Sequence, residues 1–306
     1  MTFGIIDIGS NTIRMNVYKL NGDDFTPLFS QSEAAGLVSY IENGTMNEEG
    51  ITRLADTLKK FQSILSLLGT DSYAAFATAS LRGLTNTDEV LSEVEARTGI
   101  RIDLLPGTDE ASLSFQGALH GIVCEEGVYI DTGGGSTEVV IFDHGQVRYA
   151  ASMPIGSLNL YNSYVIGLIP TREEIEAMEK RVTREFQAVE PDGKPIAASV
   201  LVVTGGSFRA VRALLEDLGR IEPGQMEVDP ALLAGLLETI LEDPNAAIHR
   251  ILKVNASRLR TLMPGLVIVS TIAKTIHAAQ IQVSLRGVRE GYLLKHGPHS
   301  EGSAKV

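Results

Sequence analysis

The sequence predicts an α/β protein made of two related domains, and three observations carry that prediction. A glycine turn set between apolar runs occurs twice, half a chain apart. Short strand-like runs alternate with helix-length segments. The order of elements that follows the first turn begins again after the second. Alternating strands and helices imply layers over a substantially parallel sheet, and a repeated order implies duplication. A length of 306 residues gives each half enough chain to bury its own core.

The first copy runs Ile5-Ile6-Asp7-Ile8-Gly9-Ser10-Asn11-Thr12-Ile13-Arg14. The second runs Tyr129-Ile130-Asp131-Thr132-Gly133-Gly134-Gly135-Ser136-Thr137-Glu138, with Asp131 standing 124 positions after Asp7. Beyond each turn, residues suited to one buried face recur at every other place (Ile13, Met15, Val17; Thr137, Val139, Ile141), so each copy reads as strand, tight turn, strand. Glycine lets the backbone bend sharply and bring its N–H groups close to an anion, while the Asp supplies a fixed negative charge. Two such hairpins facing each other would make a two-sided phosphate clamp holding two carboxylates. A third turn, Val203-Thr204-Gly205-Gly206-Ser207-Phe208-Arg209, follows an apolar run and opens a helix. It reads either as an ordinary strand-to-helix turn or as an anion site at a helix N-terminus.

Between the landmarks, a third strand is predicted near Pro27–Ser32 and a helix from Asn47 to Leu68. Ile51, Leu54, Leu58, Phe61, Leu65 and Leu68 recur at helical spacing, Glu48 and Glu49 occupy the first turn, and Gly69 follows as a stop. A strand at Tyr73–Thr78 precedes a helix near Thr87–Arg97, where Asn86 and Glu89 have capping-box spacing. A strand at Ile100–Leu105 leads into a helix from Thr108 to Leu119. The helical pattern breaks at Gly121–Glu126, which places the domain boundary there, with residues 1–124 forming the first domain and 125–306 the second. The second half repeats the order with strands at Val128–Asp131, Thr137–Phe142 and Gln146–Met153. A helix capped by Thr171 and Glu174 comes next, then a surface turn at Asp192-Gly193-Lys194-Pro195 and a strand at Ser199–Thr204. From there the pattern is mostly helical to Gly287–Leu294, with a frayed end from Gly297.

Composition narrows the function classes. The first twenty residues carry Asp7 and Arg14 inside the apolar run, and no later stretch approaches the roughly 20 apolar residues of a membrane span, so neither leader nor anchor is expected. Cys124 is the single cysteine, which excludes an intrachain disulfide and a cysteine metal cluster and suits the cytoplasm. A net charge of −12 argues against broad nucleic-acid binding, and any phosphate-rich ligand needs a local basic lining.

Two more segments have residues of the right kind. Thr78-Ala79-Ser80-Leu81-Arg82 stands at a strand end, where two hydroxyls and a guanidinium could grip phosphate or simply form a capped turn with an exposed Arg. In Gly107-Thr108-Asp109-Glu110-Ala111-Ser112, the acids either complement the helix dipole or, for Glu110, reach into an interdomain cleft and activate water.

Together these segments resemble the exopolyphosphatase and guanosine pentaphosphate phosphohydrolase (Ppx/GppA) family of the actin, sugar-kinase and heat-shock-ATPase superfamily. The first hairpin resembles the family's Asp-x-Gly-Ser-Asn-Ser/Thr-x-Arg segment, and Thr78 to Arg82 its Thr-Ser/Ala-x-x-Arg loop. Gly107 to Ala111 resembles its Ser-Gly-x-Glu-Glu-Ala motif, with Asp109 in place of the first Glu. Asp131 to Glu138 resembles its Asp-Ile-Gly-Gly-Gly-Ser-Thr-Glu turn, and Gly287-Val288-Arg289-Glu290-Gly291 its closing Gly-Leu-Arg-Glu-Gly. Gly206-Ser207 stands where the family has Ser-Gly-Thr. Met263-Pro264-Gly265-Leu266 keeps a Pro-Gly but lacks the usual Arg-Ala-Asp continuation.

The resemblance implies two actin-like (ribonuclease H-like) domains around an interdomain cleft, and removal of terminal phosphate from inorganic polyphosphate. It implies catalytic roles for Glu110, Asp131 and Arg82. It implies phosphate contacts from Gly9, Ser10, Asn11, Arg14, Thr78, Ser80, Gly133, Gly134, Gly135, Ser136, Gly205, Gly206 and Ser207. Asp7, Asp131 and Glu138 would hold Mg²⁺ or another divalent cation. Guanosine pentaphosphate is the alternative substrate, and an actin-like ATP-binding kinase or filament protein and a non-catalytic polyphosphate sensor are rival classes. A homodimer is implied as well, for which the apolar helices Ala231–Leu241 and Gly265–Ala279 offer a pairing surface or a second core.

Overall fold

The structure is a computed structural model and describes residues 1–22, 24–122 and 124–298. Two compact units make up the chain: Met1–Glu110 with Tyr292–Val306, and Ala111–Gly291. The division falls inside helix Gly107–Leu119, ahead of the break expected at Gly121–Glu126, because the later part of that helix packs with the second sheet's core.

In the first unit, β1 (Thr2–Ile8), β2 (Thr12–Asn21) and β3 (Asp24–Ala34) form an antiparallel meander. A two-residue ribbon, β4 (Ile41–Glu42) and β5 (Thr45–Met46), leads to helix α1 (Glu48–Leu67). Then follow β6 (Ser72–Ala77), the short α2 (Ala79–Arg82), α3 (Thr87–Thr98), β7 (Ile102–Leu104) and the first turn of α4 (Gly107–Leu119). The sheet order is β3-β2-β1-β6-β7, with β6 parallel to both β1 and β7. Helix α1 forms where its pattern predicts. The Asn47 side chain accepts from the Gly50 N–H, the stripe Ile51, Leu54, Leu58, Phe61 and Leu65 is buried, and Gly69 ends the helix at φ +63°.

The second unit repeats the plan. Its meander is β8 (Glu126–Thr132), β9 (Thr137–Asp143) and β10 (Gln146–Met153), followed by α5 (Ser157–Tyr164), α6 (Arg172–Ala188), β11 (Val200–Thr204) and α7 (Gly206–Asp217). Strand β12 (Glu227–Val228), helices α8 (Pro230–Glu242), α9 (Pro244–Asn255) and α10 (Leu262–Thr275), strand β13 (Gln280–Val283) and the start of helix α11 (Val288–His296) complete it. The order β10-β9-β8-β11-β13-β12 is the first sheet's order with one antiparallel strand added at the edge. With the added edge strand β12 set aside, the strands of each sheet numbered in chain order read 3-2-1-4-5, a meander followed by two parallel strands, so the duplication expected from the sequence is present in the backbone.

Three details differ from expectation. The Asn86 side chain does not cap α3. It clamps the backbone of Met46, accepting from its N–H and donating to its carbonyl at 3.0 Å each. Helix α5 and strand β13 were not anticipated. The helices expected at Ala231–Leu241 and Gly265–Ala279 are α8 and α10, and their apolar faces pack into the second unit's own core, the second of the two uses open to them. No described helix is long and apolar enough to cross a membrane.

Candidate functional site

Each hairpin turn is closed the same way. The Gly9 N–H donates to the Thr12 carbonyl at 3.2 Å, and the Gly133 N–H donates to the Ser136 carbonyl at 3.0 Å. The expectation that these two N–H groups face a phosphate is therefore corrected, since both close their own turns. The carbonyls are tied down as well. In the first turn, Gly36 N–H bonds to Asn11 and Val38 N–H to Ser10. In the second, the N-terminus of α5 does this work: Ser157 N–H bonds to Gly133, Leu158 and Asn159 N–H to Gly134, and the Asn159 side chain to Gly135 at 2.7 Å. The carbonyls of all three glycines are thus taken up by α5, and the N–H groups of Gly134, Gly135 and Ser136 are the turn's candidate anion donors.

Gly156 lets α5 come this close. A Cβ there would lie 2.5 Å from the Gly134 carbonyl carbon, so Gly156→Ala must push the turn away from α5. The expected result is about 1–3 kcal/mol of lost stability in urea unfolding, together with a raised KM for any phosphate substrate. An unchanged KM would show that the turn does not bind it.

The hairpins differ in charge. Across the first, Asp7 stands in register with Arg14, whose Nε donates to Ser32 Oγ at 3.0 Å. Across the second, Asp131 stands in register with Glu138, acid opposite acid. Burial, and then the Asp131 charge, push Glu138 up to about 7, although Ser136 Oγ at 2.8 Å and Ser152 Oγ at 3.1 Å donate to its Oε1. Burial also raises Asp131. The Ser114 hydroxyl and the guanidinium groups of Arg209 and Arg289 hold it down in part, and Glu290 adds to the rise.

Among the described residues no three His, Cys, Asp or Glu side chains converge as a metal cluster. Of the three acids expected at a cation, Asp7 belongs to the first unit, and Asp131 and Glu138 form a facing pair across one hairpin of the second. This pair suits a hard divalent ion. Mg²⁺ is commonly held by one or two carboxylates, with water and phosphate oxygens filling the other positions.

In the first unit, two residues expected in separate roles meet. Arg82 NH1 donates to Glu110 Oε2 at 3.1 Å and to the Leu105 carbonyl at 2.8 Å. Glu110 lies in the first turn of α4 with its side chain 15% exposed, and its N–H bonds to the Pro106 carbonyl. Arg82 therefore orients the Glu110 carboxylate. Thr78 sits at the N-cap of α2 without capping it. The Ser80 side chain lies outside the described residues.

The third turn is built for close approach. Gly205 has φ +114°, and a Cβ there would lie 2.5 Å from the Thr132 carbonyl oxygen, so only glycine fits. Ser207, expected on phosphate, is buried and donates to Ser157 Oγ at 2.9 Å, tying α7 to α5. What sequence reasoning missed is a pair of partly buried arginines at this turn, one of which, Arg209, donates to the Gly205 carbonyl at 3.3 Å and the Leu285 carbonyl at 3.1 Å. Arg209, in the first turns of α7, is drawn below the ordinary guanidinium range by burial and by Arg289. The Arg258 guanidinium packs against Gly206 and is lowered by burial alone. A helix N-terminus favours acids; α7 has none in its first turn and carries Arg209 instead. That misplaced charge was the available signal.

Comparison with known proteins agrees with this fold. The sequence model of the Ppx/GppA phosphatase family matches residues 17–299. Exopolyphosphatase 1 of Mycobacterium leprae is 26% identical, over all of this chain and 93% of that protein. A putative exopolyphosphatase of Haemophilus influenzae is 24% identical, over 94% of this chain and 89% of its own length. Among solved structures, the Aquifex aeolicus Ppx/GppA family member superposes with a TM-score of 0.82 at 22% identity, covering 96% of this chain and 97% of that one. An exopolyphosphatase from Cytophaga hutchinsonii also gives 0.82, at 21% identity and the same coverage. These structures share the fold, an actin-like one. With its family model matched over nearly its whole length and its glycine turns built as described, the chain belongs to the Ppx/GppA phosphatase family.

Proposed function

We propose that this protein removes the terminal phosphate of inorganic polyphosphate by hydrolysis of its phosphoanhydride bond. The observation that carries the proposal is the pair of facing carboxylates, Asp131 and Glu138, beside a turn whose three glycine carbonyls are tied back to α5. Like charges held close together raise each other's proton affinity and favour a counter-cation, and phosphoryl transfer requires that same neutralisation of oxygen charge. Relatives called exopolyphosphatase that align over nearly the full chain support the choice of substrate.

Asp131 and Glu138 would hold Mg²⁺, or another divalent cation, which supplies neutralisation of phosphate oxygen charge and polarises the phosphorus–oxygen bond. The N–H groups of Gly134, Gly135 and Ser136 bind phosphate oxygens, and Arg209 and Arg258 supply the basic lining that a chain of net charge −12 needs locally. On the first unit, Ser10, Asn11 and Arg14 offer further phosphate donors, with Asp7 opposite Arg14. Glu110, oriented by Arg82, takes a proton from the attacking water. Water oxygen bonds to the terminal phosphorus, the bridging P–O bond breaks, and the shortened chain leaves with the electron pair.

Polyphosphate and guanosine pentaphosphate end in the same anhydride, so their kcat/KM ratio decides between them. A ratio of about tenfold or more in favour of polyphosphate is expected. A preference for the nucleotide would assign the site to it instead.

A further inference from the structure

Two hydroxyls behind the glycine turn play no part in the chemistry above. Tyr129 lies two residues before Asp131 on β8, so both side chains fall on the same face of the sheet. Helix α4 lays Ser114 against that face. Ser114 Oγ is 2.6 Å from the Tyr129 hydroxyl and donates to Asp131 Oδ2. Ser114 and Tyr129 are both 0% exposed. The surroundings are apolar: Phe115 stands edge-on to the Tyr129 ring at 5.7 Å, and Ala118, Val140, Phe142 and Val202 complete the cluster. Burying two hydroxyls there is unfavourable unless both are hydrogen-bonded, so their partners define what they do.

Counting protons fixes the direction of the chain. An ionised carboxylate only accepts, so the one Ser114 proton goes to Asp131. Ser114 then has only lone pairs to offer Tyr129, and the phenol must donate. In the reverse direction the phenol proton would need another acceptor. Among the described residues the Ser114 hydroxyl is the partner of the Tyr129 hydroxyl. Two O–H dipoles therefore line up toward the Asp131 carboxylate, end to end.

We propose that Tyr129 and Ser114 form a donor relay that positions Asp131, occupying Oδ2 so that the carboxylate meets a cation through Oδ1 alone. This rests on the assignment of Asp131 to cation binding made above. The relay has a consequence for selectivity. Mg²⁺ keeps near-ideal octahedral geometry and is held through single carboxylate oxygens, whereas Ca²⁺ readily takes both oxygens of one carboxylate at longer distance. A carboxylate with one oxygen already engaged suits the smaller ion. Ser114 and Tyr129 are positioning residues: neither touches the cation, and each acts by restricting Asp131.

The test is a calorimetric titration of Mg²⁺ and Ca²⁺ into wild type, Ser114→Ala, Ser114→Thr and Tyr129→Phe, each checked by circular dichroism for folding. Ser114→Ala is expected to weaken Mg²⁺ binding about 10- to 100-fold, the usual range for losing such a support, with Ca²⁺ weakened less. Tyr129→Phe should move both in the same sense but by less, and Ser114→Thr should restore the wild-type ratio. A Mg²⁺/Ca²⁺ ratio unchanged in Ser114→Ala and Tyr129→Phe overturns the relay. If wild type binds neither ion, the assignment of Asp131 to cations fails, and the relay is judged separately from near-ultraviolet absorption. Loss of the acceptor in Ser114→Ala shifts the tyrosine band to shorter wavelength if Tyr129 donates to Ser114; an unmoved band refutes the donor chain. Where Ser114→Ala does not fold, Tyr129→Phe and Ser114→Thr carry the same comparison.

Discussion

Glu110→Gln lowers turnover about 10²- to 10⁴-fold, the range expected for loss of a general base, while polyphosphate binding persists. Gln has the shape of Glu, and its amide oxygen still accepts from Arg82, so the first turn of α4 and the Arg82 anchor on the Leu105 carbonyl stay in place. What is lost is the capacity to take up a proton. Asp109→Asn is the control. Asp109 is exposed in the same helical turn, so its removal costs only the dipole contribution of about 0.3–1 kcal/mol and leaves rates unchanged. Single-turnover kinetics and equilibrium binding of polyphosphate separate the two quantities. A dead Asp109→Asn beside a working Glu110→Gln would exchange the roles, and two working variants would make this helix structural, with Glu138 the next base to examine.

Glu138→Gln has the second large effect, and it runs in opposite directions for stability and activity. The folded Glu138 is pushed up to about 7 from an ordinary value of 4.5, so between those values the folded state holds a proton that the unfolded state has released. Stability of the cation-free protein therefore falls as pH rises through that window, by about 3 kcal/mol for one group at the usual 1.36 kcal/mol per unit. Below about 4.5 the penalty is absent. Asp131 is raised too and adds a slope of the same sign. Glu138→Gln removes the Glu138 contribution, so its unfolding midpoint at pH 8 should exceed that of wild type and its pH profile between 5 and 8 should flatten. Activity falls by about a hundredfold, because an amide is a poor ligand for a hard cation. Mg²⁺ should stabilise wild type more at pH 8 than at pH 5, since it competes with that proton. Parallel pH–stability profiles for wild type and Glu138→Gln would refute the account of two facing acids.

Much of this architecture was legible because backbone rules leave marks in the sequence. Both hairpins were marked by Asp-x-Gly turns between apolar runs. Asn47, the Ile51–Leu65 stripe and Gly69 marked α1, and Thr171 with Glu174 marked α6, whose capping box is formed. The misses have local causes. Helix α5 is eight residues of Ser, Asn, Leu and Tyr with weak helical preference, held by the carbonyls of the glycine turn and by Asn159, which accepts from the Gly156 N–H. Strand β13 has four residues, Gln280–Val283, too few to show alternation beside a strongly apolar helix. Asn86 has capping-box spacing, but tertiary contact with Met46 claims its side chain.

The site was legible in part for similar reasons. As candidates, the glycine turns, Asp131, Glu138, Arg82 and Glu110 are marked by motif. Ser114, Arg209 and Arg289 act on Asp131, and Arg258 packs on Gly206, only because the fold brings distant stretches of chain together. Apart from the misplaced charge of Arg209 at the start of α7 and the place of Arg289 in the Gly287–Gly291 segment, nothing in their local sequence announces those contacts. The place of Ser207 after two glycines suggests a phosphate contact, whereas its hydroxyl is buried on Ser157.

The measurement that reaches the central claim most directly is orthophosphate release from inorganic polyphosphate by the purified, folded protein, with Mg²⁺ present and then removed by a chelator. Steady release with Mg²⁺, one phosphate per turnover from the chain end, and loss of release on chelation is the predicted result. Polyphosphate bound without any release, or ATP bound while polyphosphate stays intact, with Mg²⁺ present in both cases, would contradict it and move the protein to a sensor or a kinase-like role.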